Sequence, residues 1–235
     1  MNILETDELK AGYDGANVLH GVNLEIKEGE MIALIGRNGV GKTTFVKSVM
    51  RLLNKTEGTV LYRGQSIDRW SVHEAARSGI RIVPENRGIF PRLTVYENLE
   101  VARFYAKGVK REQIQSVYKL FPRLEERKNL AAGLMSGGEQ QMLSIARALL
   151  ARPKLLLVDE FSEGLQPSIT KEIADVLCET NRREGLPILL VEQNAKLALQ
   201  MTSKAYIMVK GKIVYSGDSK ALIDKDEILK ENLVI

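Results

Sequence analysis

Two stretches of this sequence carry residue types at a spacing suited to phosphate chemistry. The first is Gly36–Thr44, "GRNGVGKTT", which fits G-x-x-x-x-G-K-[ST]. Its glycines let backbone N–H groups curl around phosphate oxygens, and the helix that begins there adds partial positive charge. Lys42 would reach the terminal phosphates, the Thr43 hydroxyl would ligate Mg²⁺, and Thr44 would add a phosphate contact; Gly36, Asn38, Gly39 and Gly41 complete the cradle. The second stretch is "LLLVDE", which places Asp159 and Glu160 at the C-terminal end of an apolar strand, the edge where open α/β sheets bind ligands. There Asp159 would hold Mg²⁺ and Glu160 would take a proton from an attacking water.

A phosphate loop alone does not choose among NTPases, kinases and GTPases. A GTPase needs a base-reading N-K-x-D, and the only near match, "NKTE" at Asn54, ends in Glu and reads as a surface turn. A third stretch, "LMSGGEQQMLSIARALL" (134–150), is more unusual. Met142, Ile145, Ala146 and Leu149 recur at helical spacing. Yet Ser136, Gly137 and Gly138 open this helix, although each glycine costs up to about 1 kcal/mol there. A helix N-terminus with free N–H groups, a serine hydroxyl and no bulky side chains is an anion site.

The elements that must position these groups can be read from patterning. The first 30 residues alternate apolar and polar, as short strands around a turn at Tyr13-Asp14-Gly15. Strand, loop and helix follow over "EMIALIGRNGVGKTTFVKSVMRLL", then strands at "GTVLY" and "GIRIVPE". Residues from about 94 to 150 read as helical. "KLLLVDE" and "LPILLVEQ" are buried strands, separated by the helix "PSITKEIADVLCETNRREG", with Pro at its start and Gly at its end. "NAKLALQM" is a helix and "KAYIMVKGKIVYSG" a hairpin with a Lys-Gly-Lys turn. This alternation predicts a largely parallel sheet covered on both faces, with the helical middle inserted into it.

Composition narrows the function classes. The chain has 235 residues, 44% hydrophobic and 27% charged, ordinary values for a globular protein. No apolar run approaches the roughly 18 residues of a membrane span, and "MNILETDELK" lacks a secretory pattern. The net charge of +4 is mixed with acidic residues and forms no basic stripe, which argues against nucleic-acid binding. Cys178 is the single cysteine, so no internal disulfide forms; it reads as a small apolar residue on a helix.

The phosphate loop, "LLLVDE" and the intervening "MSGGEQQ" together resemble an ATP-binding-cassette (ABC) ATPase over almost the whole chain. The resemblance implies an α/β P-loop NTPase core with an N-terminal antiparallel β portion and an inserted helical subdomain. It divides the single nucleotide-binding domain, 1–235, into an ATPase core (1–85 and 152–235) and a helical signature subdomain (86–151). The implied cofactors are ATP and Mg²⁺. Ser136, Gly137, Gly138 and Glu139 would meet the γ-phosphate of an ATP held by a partner subunit. Tyr13 stands where an aromatic stacks on adenine. "LPILLVEQN" matches the switch strand, and "FSEGLQP" the loop that crosses the dimer interface. "GIFPRLTVYENL", with exposed-looking Ile89, Phe90 and Leu93, matches the surface that receives a coupling helix of the membrane subunit.

Four positions depart from the broad family pattern: Glu85 for a glutamine, Glu139 for a glutamine, Gln193 for a histidine, and Phe161 for a proline after the acidic pair. The two histidines, His20 and His73, lie elsewhere and read as structural or surface residues. "VPENRGIFPRLTVYENL", "SGGEQQMLSIARALLARPKLLLVDE" and "LLVEQNAKLAL" together resemble the second ATPase subunit of importers for branched-chain amino acids, or for urea and short amides, in which Glu, Glu and Gln stand at the first three positions. Phe161 fits neither group and leaves the orientation of Glu160 open. Gln193 can hydrogen-bond a γ-phosphate but carries no proton at neutral pH, so any general base falls to Glu160. Glu85 is compatible with metal ligation but would repel phosphate otherwise. The expected catalytic set is therefore Glu160, Gln193 and Glu85, and the metal set Thr43, Asp159 and Glu85, with slow basal hydrolysis that rises on docking.

The implied partners are a second ABC ATPase subunit, giving a heterodimer, two transmembrane permease subunits and, indirectly, a solute-binding protein, with no nucleic acid. The implied location is peripheral, at the cytoplasmic face of the inner membrane. The alternatives are a urea or short-chain amide importer, a non-transport ABC ATPase, and a regulatory subunit with weak catalysis.

Overall fold

The structure, a computed structural model, describes residues 1–13, 16–53, 56–106 and 108–223. Asp14 and Gly15 of the expected first turn, and Asn54 and Lys55 of the "NKTE" stretch, lie outside the described residues. The chain forms two compact units. One comprises Met1–Ile82, Lys154–Glu160 and Thr180–Ile235; the other comprises Val83–Pro153 and Phe161–Glu179.

The first unit holds two sheets. Strands β1 (Asn2–Tyr13) and β2 (Ala16–Lys27) pair antiparallel, and β4 (Thr56–Tyr62) joins the other edge of β1. With the short β5 (Gln65–Ser66) the order is β2-β1-β4-β5. These strands alternate buried and exposed residues, the mark of a sheet with one covered face. The second sheet contains β3 (Met31–Ile35), β6 (Ile80–Val83), β7 (Leu155–Asp159), β8 (Ile188–Glu192), β9 (Lys204–Val209) and β10 (Lys212–Asp218) in the order β10-β9-β3-β8-β7-β6. Strands β9, β3, β8 and β7 run parallel, and β10 returns antiparallel on β9. Every residue of β3, β7 and β8 is buried, which explains their unbroken apolar sequence.

Helix α1 (Lys42–Val49) packs Phe45, Val46 and Val49 into one core with Leu4 and Leu9 of β1, Ile32 and Leu34 of β3, Leu157 of β7 and Leu189 of β8. The short helix α2 (Val72–Ser78) was not expected from periodicity. It is fixed by a capping box in which the Ser71 hydroxyl accepts from Glu74 N–H and the Glu74 carboxylate accepts from Ser71 N–H.

The second unit carries α3 (Val95–Tyr105), α4 (Ile114–Leu120), α5 (Pro122–Glu126), α6 (Gly137–Leu150) and the start of α7 (Pro167–Glu184). The end of α7 belongs to the first unit, as do α8 (Ala195–Met201) and α9 (Ser219–Ile223). Helix α6 differs from a simple amphipathic reading. Met142, Ile145 and Ala146 are buried as expected, but so are Gln141, Leu143 and Ser144, so its middle is enclosed nearly all round. Leu149 is only partly buried. No helix among the described residues is long and apolar enough to cross a membrane.

Candidate functional site

The phosphate loop leaves β3 at Gly36 and enters α1 at Lys42. Its turn is packed from behind. A Cβ on Gly36 would lie 2.6 Å from the Met208 carbonyl oxygen, and one on Gly41 would lie 2.9 Å from Leu19 Cδ2. Gly41 is the N-cap of α1 with φ 114°, a conformation that L side chains avoid. No side chain caps this helix, so its first N–H groups are presented to the loop interior. The loop crest, Arg37, Asn38 and Gly39, is exposed, while Thr43 is half-buried and Thr44 buried.

Lys42 is the central cation. It is 3% exposed, and its ammonium donates to the carbonyls of Gly36 at 2.7 Å and Arg37 at 2.9 Å. It also lies 2.9 Å from Glu160 Oε1, and Glu160 is 8% exposed. Glu160 stands just past β7 with φ 48°, and its N–H donates to Val191 O in β8 at 2.8 Å. That backbone bond aims the carboxylate at the loop. Phe161, the residue that left the orientation of Glu160 open, is 1% exposed. Asp159, the last residue of β7, is 1% exposed. The Gly36 N–H donates to Glu192 O at 3.4 Å, which ties the loop to the end of β8, and Gln193 follows there, exposed. Tyr13 ends β1 with its ring half exposed, and the Lys47 ammonium of α1 sits 5.7 Å from the ring centroid. The first unit thus gathers Tyr13, Gly36–Thr44, Asp159, Glu160 and Gln193.

The second unit holds the other expected residues. Ser136 is the N-cap of α6: its hydroxyl accepts from Glu139 N–H at 3.3 Å, while the Glu139 carboxylate accepts from Ser136 N–H at 2.9 Å. Burial raises the Glu139 pKa, but the Ser136 backbone and hydroxyl and the nearby Arg127 guanidinium outweigh it, so the carboxyl stays below its ordinary value. The carboxylate and the N–H of Glu139 are therefore both engaged in its own turn. Packing accounts for the two glycines. A Cβ on Gly137 would come 2.9 Å from Arg87 Nη2, and one on Gly138 would come 2.8 Å from Ile169 Cγ2 of α7. Arg87 is held in turn by Gln140 Oε1 at 2.9 Å. Glu85 is exposed on the loop before Arg87.

Of the apolar residues expected on the neighbouring surface, Phe90 is 42% exposed, whereas Ile89 and Leu93 are partly buried. Sequence reading missed what shapes this loop. The buried Asn98 carboxamide accepts from Phe90 N–H and donates to the carbonyls of Phe90, Leu93 and Thr94. The Arg147 guanidinium donates to Gly88 O at 2.5 Å and lies 4.6 Å from the Phe90 ring centroid. The available signal was Thr94-x-x-Glu97, a capping box that fixes where α3 starts.

The chain is similar to known proteins over nearly its whole length. The sequence profile of the family described as "ABC transporter" matches residues 19–163. The chain is 41% identical over 227 residues to the "High-affinity branched-chain amino acid transport ATP-binding protein BraG" of Pseudomonas aeruginosa, covering 96% of this chain and 97% of that one. It is 34% identical over 229 residues to the "Probable branched-chain amino acid transport ATP-binding protein LivF" of Archaeoglobus fulgidus, covering 97% of each. Among solved structures, cbiO1 of Clostridium perfringens, described as part of the ABC transporter complex cbiONQ, superposes with a TM-score of 0.83 at 27% identity over 98% of this chain and 94% of that one. Phosphate loop, acidic strand end, fold and likeness converge: the chain belongs to the ABC transporter family, as one of its ATP-hydrolysing cassettes.

Proposed function

We propose that this ATPase powers an importer for branched-chain amino acids. The observation that carries the catalytic part is the buried Lys42 ammonium 2.9 Å from Glu160, beside Asp159 and at the start of an uncapped helix. ATP phosphates enter the loop against the N–H groups of 36–44, and Lys42 exchanges its carbonyl and Glu160 contacts for phosphate oxygens. That exchange frees the Glu160 carboxylate to take the proton of the attacking water. Thr43, Asp159 and Glu85 would hold Mg²⁺, and their oxygen donors suit it. Held there, Mg²⁺ would supply neutralisation of charge on the transferred phosphoryl group. Gln193 hydrogen-bonds the γ-phosphate, and Tyr13 stacks on adenine.

Ser136, Gly137 and Gly138 receive the γ-phosphate of an ATP held by a second, different ATPase subunit, and Glu139 acts there through the Ser136 cap. Residues 86–151 form the signature subdomain, and 1–85 with 152–235 form the ATPase core. The Phe90 loop docks the coupling helix of one of the two transmembrane permease subunits, which receive solute from a binding protein. The chain then works peripherally, at the cytoplasmic face of the inner membrane. The names of the relatives, together with the stretch "VEQNAKLAL", support branched-chain amino acids as the solute class. "EGLQPSI" supports a second reading, an importer of urea or short amides.

The test is purification of the tagged chain from its own membranes in mild detergent. Two permeases and a different ATPase are expected. Calorimetry on the solute receptor of that system should then show leucine, isoleucine or valine binding, rather than urea. Recovery without membrane subunits would refute transport.

A further inference from the structure

The phosphate loop has a support that lies outside its own motif. The β9–β10 hairpin turns on Lys210 and Gly211, at φ 45° and 74°, with Val209 and Lys212 paired across it. Positive φ at both central residues marks a type I′ turn. The Gly211 N–H donates to Val40 O, inside the phosphate loop, at 2.8 Å. The Gly211 carbonyl accepts from His20 N–H of β2 at 2.9 Å. A Cβ on Gly211 would fall 1.8 Å from Val18 O, so the turn lies directly on the β2 backbone. Met208, three residues earlier, backs the same loop through its carbonyl at Gly36 and its sulfur, which a Cβ on Gly41 would approach to 3.5 Å.

One bond within this set bears on phosphate directly. A trans peptide is planar, so the Val40 carbonyl and the Gly41 N–H point in opposite directions. Holding Val40 O outward against Gly211 therefore turns the Gly41 N–H into the loop interior. We propose that Gly211 is a positioning residue for the nucleotide site, a clip through which β2 and the β9–β10 turn set the curve of the phosphate loop before phosphate arrives. This rests on the reading of Gly36–Thr44 as the phosphate loop. Its consequence is preorganisation: without the clip, part of the binding free energy is spent ordering the loop.

The molecule contains a matched control. The β4–β5 hairpin turns on Arg63 and Gly64, at φ 52° and 74°, with Tyr62 and Gln65 paired across it. A Cβ on Gly64 meets nothing within 4 Å. Gly64→Ala therefore carries the backbone strain of Gly211→Ala without touching the phosphate loop. ATP binding to the full chain should be titrated for both variants and for Lys42→Ala, well below each melting temperature.

The clip predicts Gly64→Ala within about twofold of the parent and Gly211→Ala weakened about tenfold, as expected for one displaced hydrogen bond. It also predicts that the assembled transporter carrying Gly211→Ala has a raised KM for ATP with kcat at saturation within about threefold. Equal affinities for the two glycine variants overturn the clip. Parent-like binding by Lys42→Ala would instead overturn the phosphate-loop reading itself. If Gly211→Ala does not fold, amide exchange in the unsubstituted chain decides. Saturating ADP should slow exchange at Gly211 along with α1, and an unchanged Gly211 rate beside a slowed α1 rejects the proposal.

Discussion

Helices α1 and α6 both have glycine at or beside their N-cap, and they begin differently. Helix α1 has Gly41 as its N-cap, no capping side chain, and a cation, Lys42, as its first residue. Helix α6 has Ser136 as its N-cap, a closed capping box and an acid, Glu139, in its first turn. A lysine at a helix N-terminus works against the macrodipole, and in α1 the one carboxylate beside it, Glu160, pairs with the Lys42 ammonium and caps none of the first amides. The start of α6 already has a carboxylate and a hydroxyl serving its first amides. On the function proposed above, the first is the primary phosphate site, and the second, with part of its capacity engaged, meets a phosphate delivered by another subunit.

The comparison can be broken by substitution. The largest effect is expected from Lys42→Ala. It removes the loop cation and leaves Glu160 buried without that partner, so ATP affinity should fall by at least about tenfold. Stability should fall by about 3 kcal/mol, since removing one member of a buried pair is costly. Calorimetric titration and denaturant unfolding measure the two; retention of both would mean that Lys42 is a bystander.

Ser136→Asp gives a sharper test of α6. Aspartate caps a helix as well as serine, so the unfolding midpoint should hold. A carboxylate facing an incoming phosphate should cut ATP turnover of the assembled transporter more than about tenfold. Ser136→Ala should cost about 1 kcal/mol of stability through the lost cap. If Ser136→Asp kept full turnover, α6 would be a capped helix and no more.

The smallest effect is expected from Glu139→Gln, because glutamine also completes a capping box. Its use is to isolate a pH term. The Glu139 pKa lies below its ordinary value of 4.5 in the folded chain. The stability this contributes is present above the unfolded pKa and is lost as pH falls through the folded one. Thermal melts between about pH 6 and pH 3 should show the parent losing part of its stability advantage over Glu139→Gln on acidification. Parallel pH profiles would show that the capping box does not hold the carboxylate ionised.

Much of the first unit was legible in sequence because its signals are local. "MIALI" before "GRNGVGKTT" announces strand, loop and helix, and the strands β7 and β8 read as unbroken apolar runs because both faces are covered. The 3.6-residue period of α6 was visible, but the burial of Gln141 and Ser144 was not, because periodicity reports one face and not a helix enclosed on several. The reasons for Gly137 and Gly138 lie in Arg87 and Ile169, residues that no spacing rule brings near them. The pairing of Lys42 with Glu160 and of Gly211 with Val40 likewise depends on strand order, with β9 and β8 flanking β3, and strand order is a tertiary fact.

The central claim is that Glu160, aimed by its backbone bond to Val191 and released from Lys42 by phosphate, is the general base. Steady-state ATP turnover of the assembled transporter carrying Glu160→Gln tests it most directly. A carboxamide keeps the shape and the hydrogen bonding but accepts no proton. Turnover should fall by about 10²-fold or more, with ATP still bound. Turnover equal to that of the parent would contradict the account and move the base to another residue.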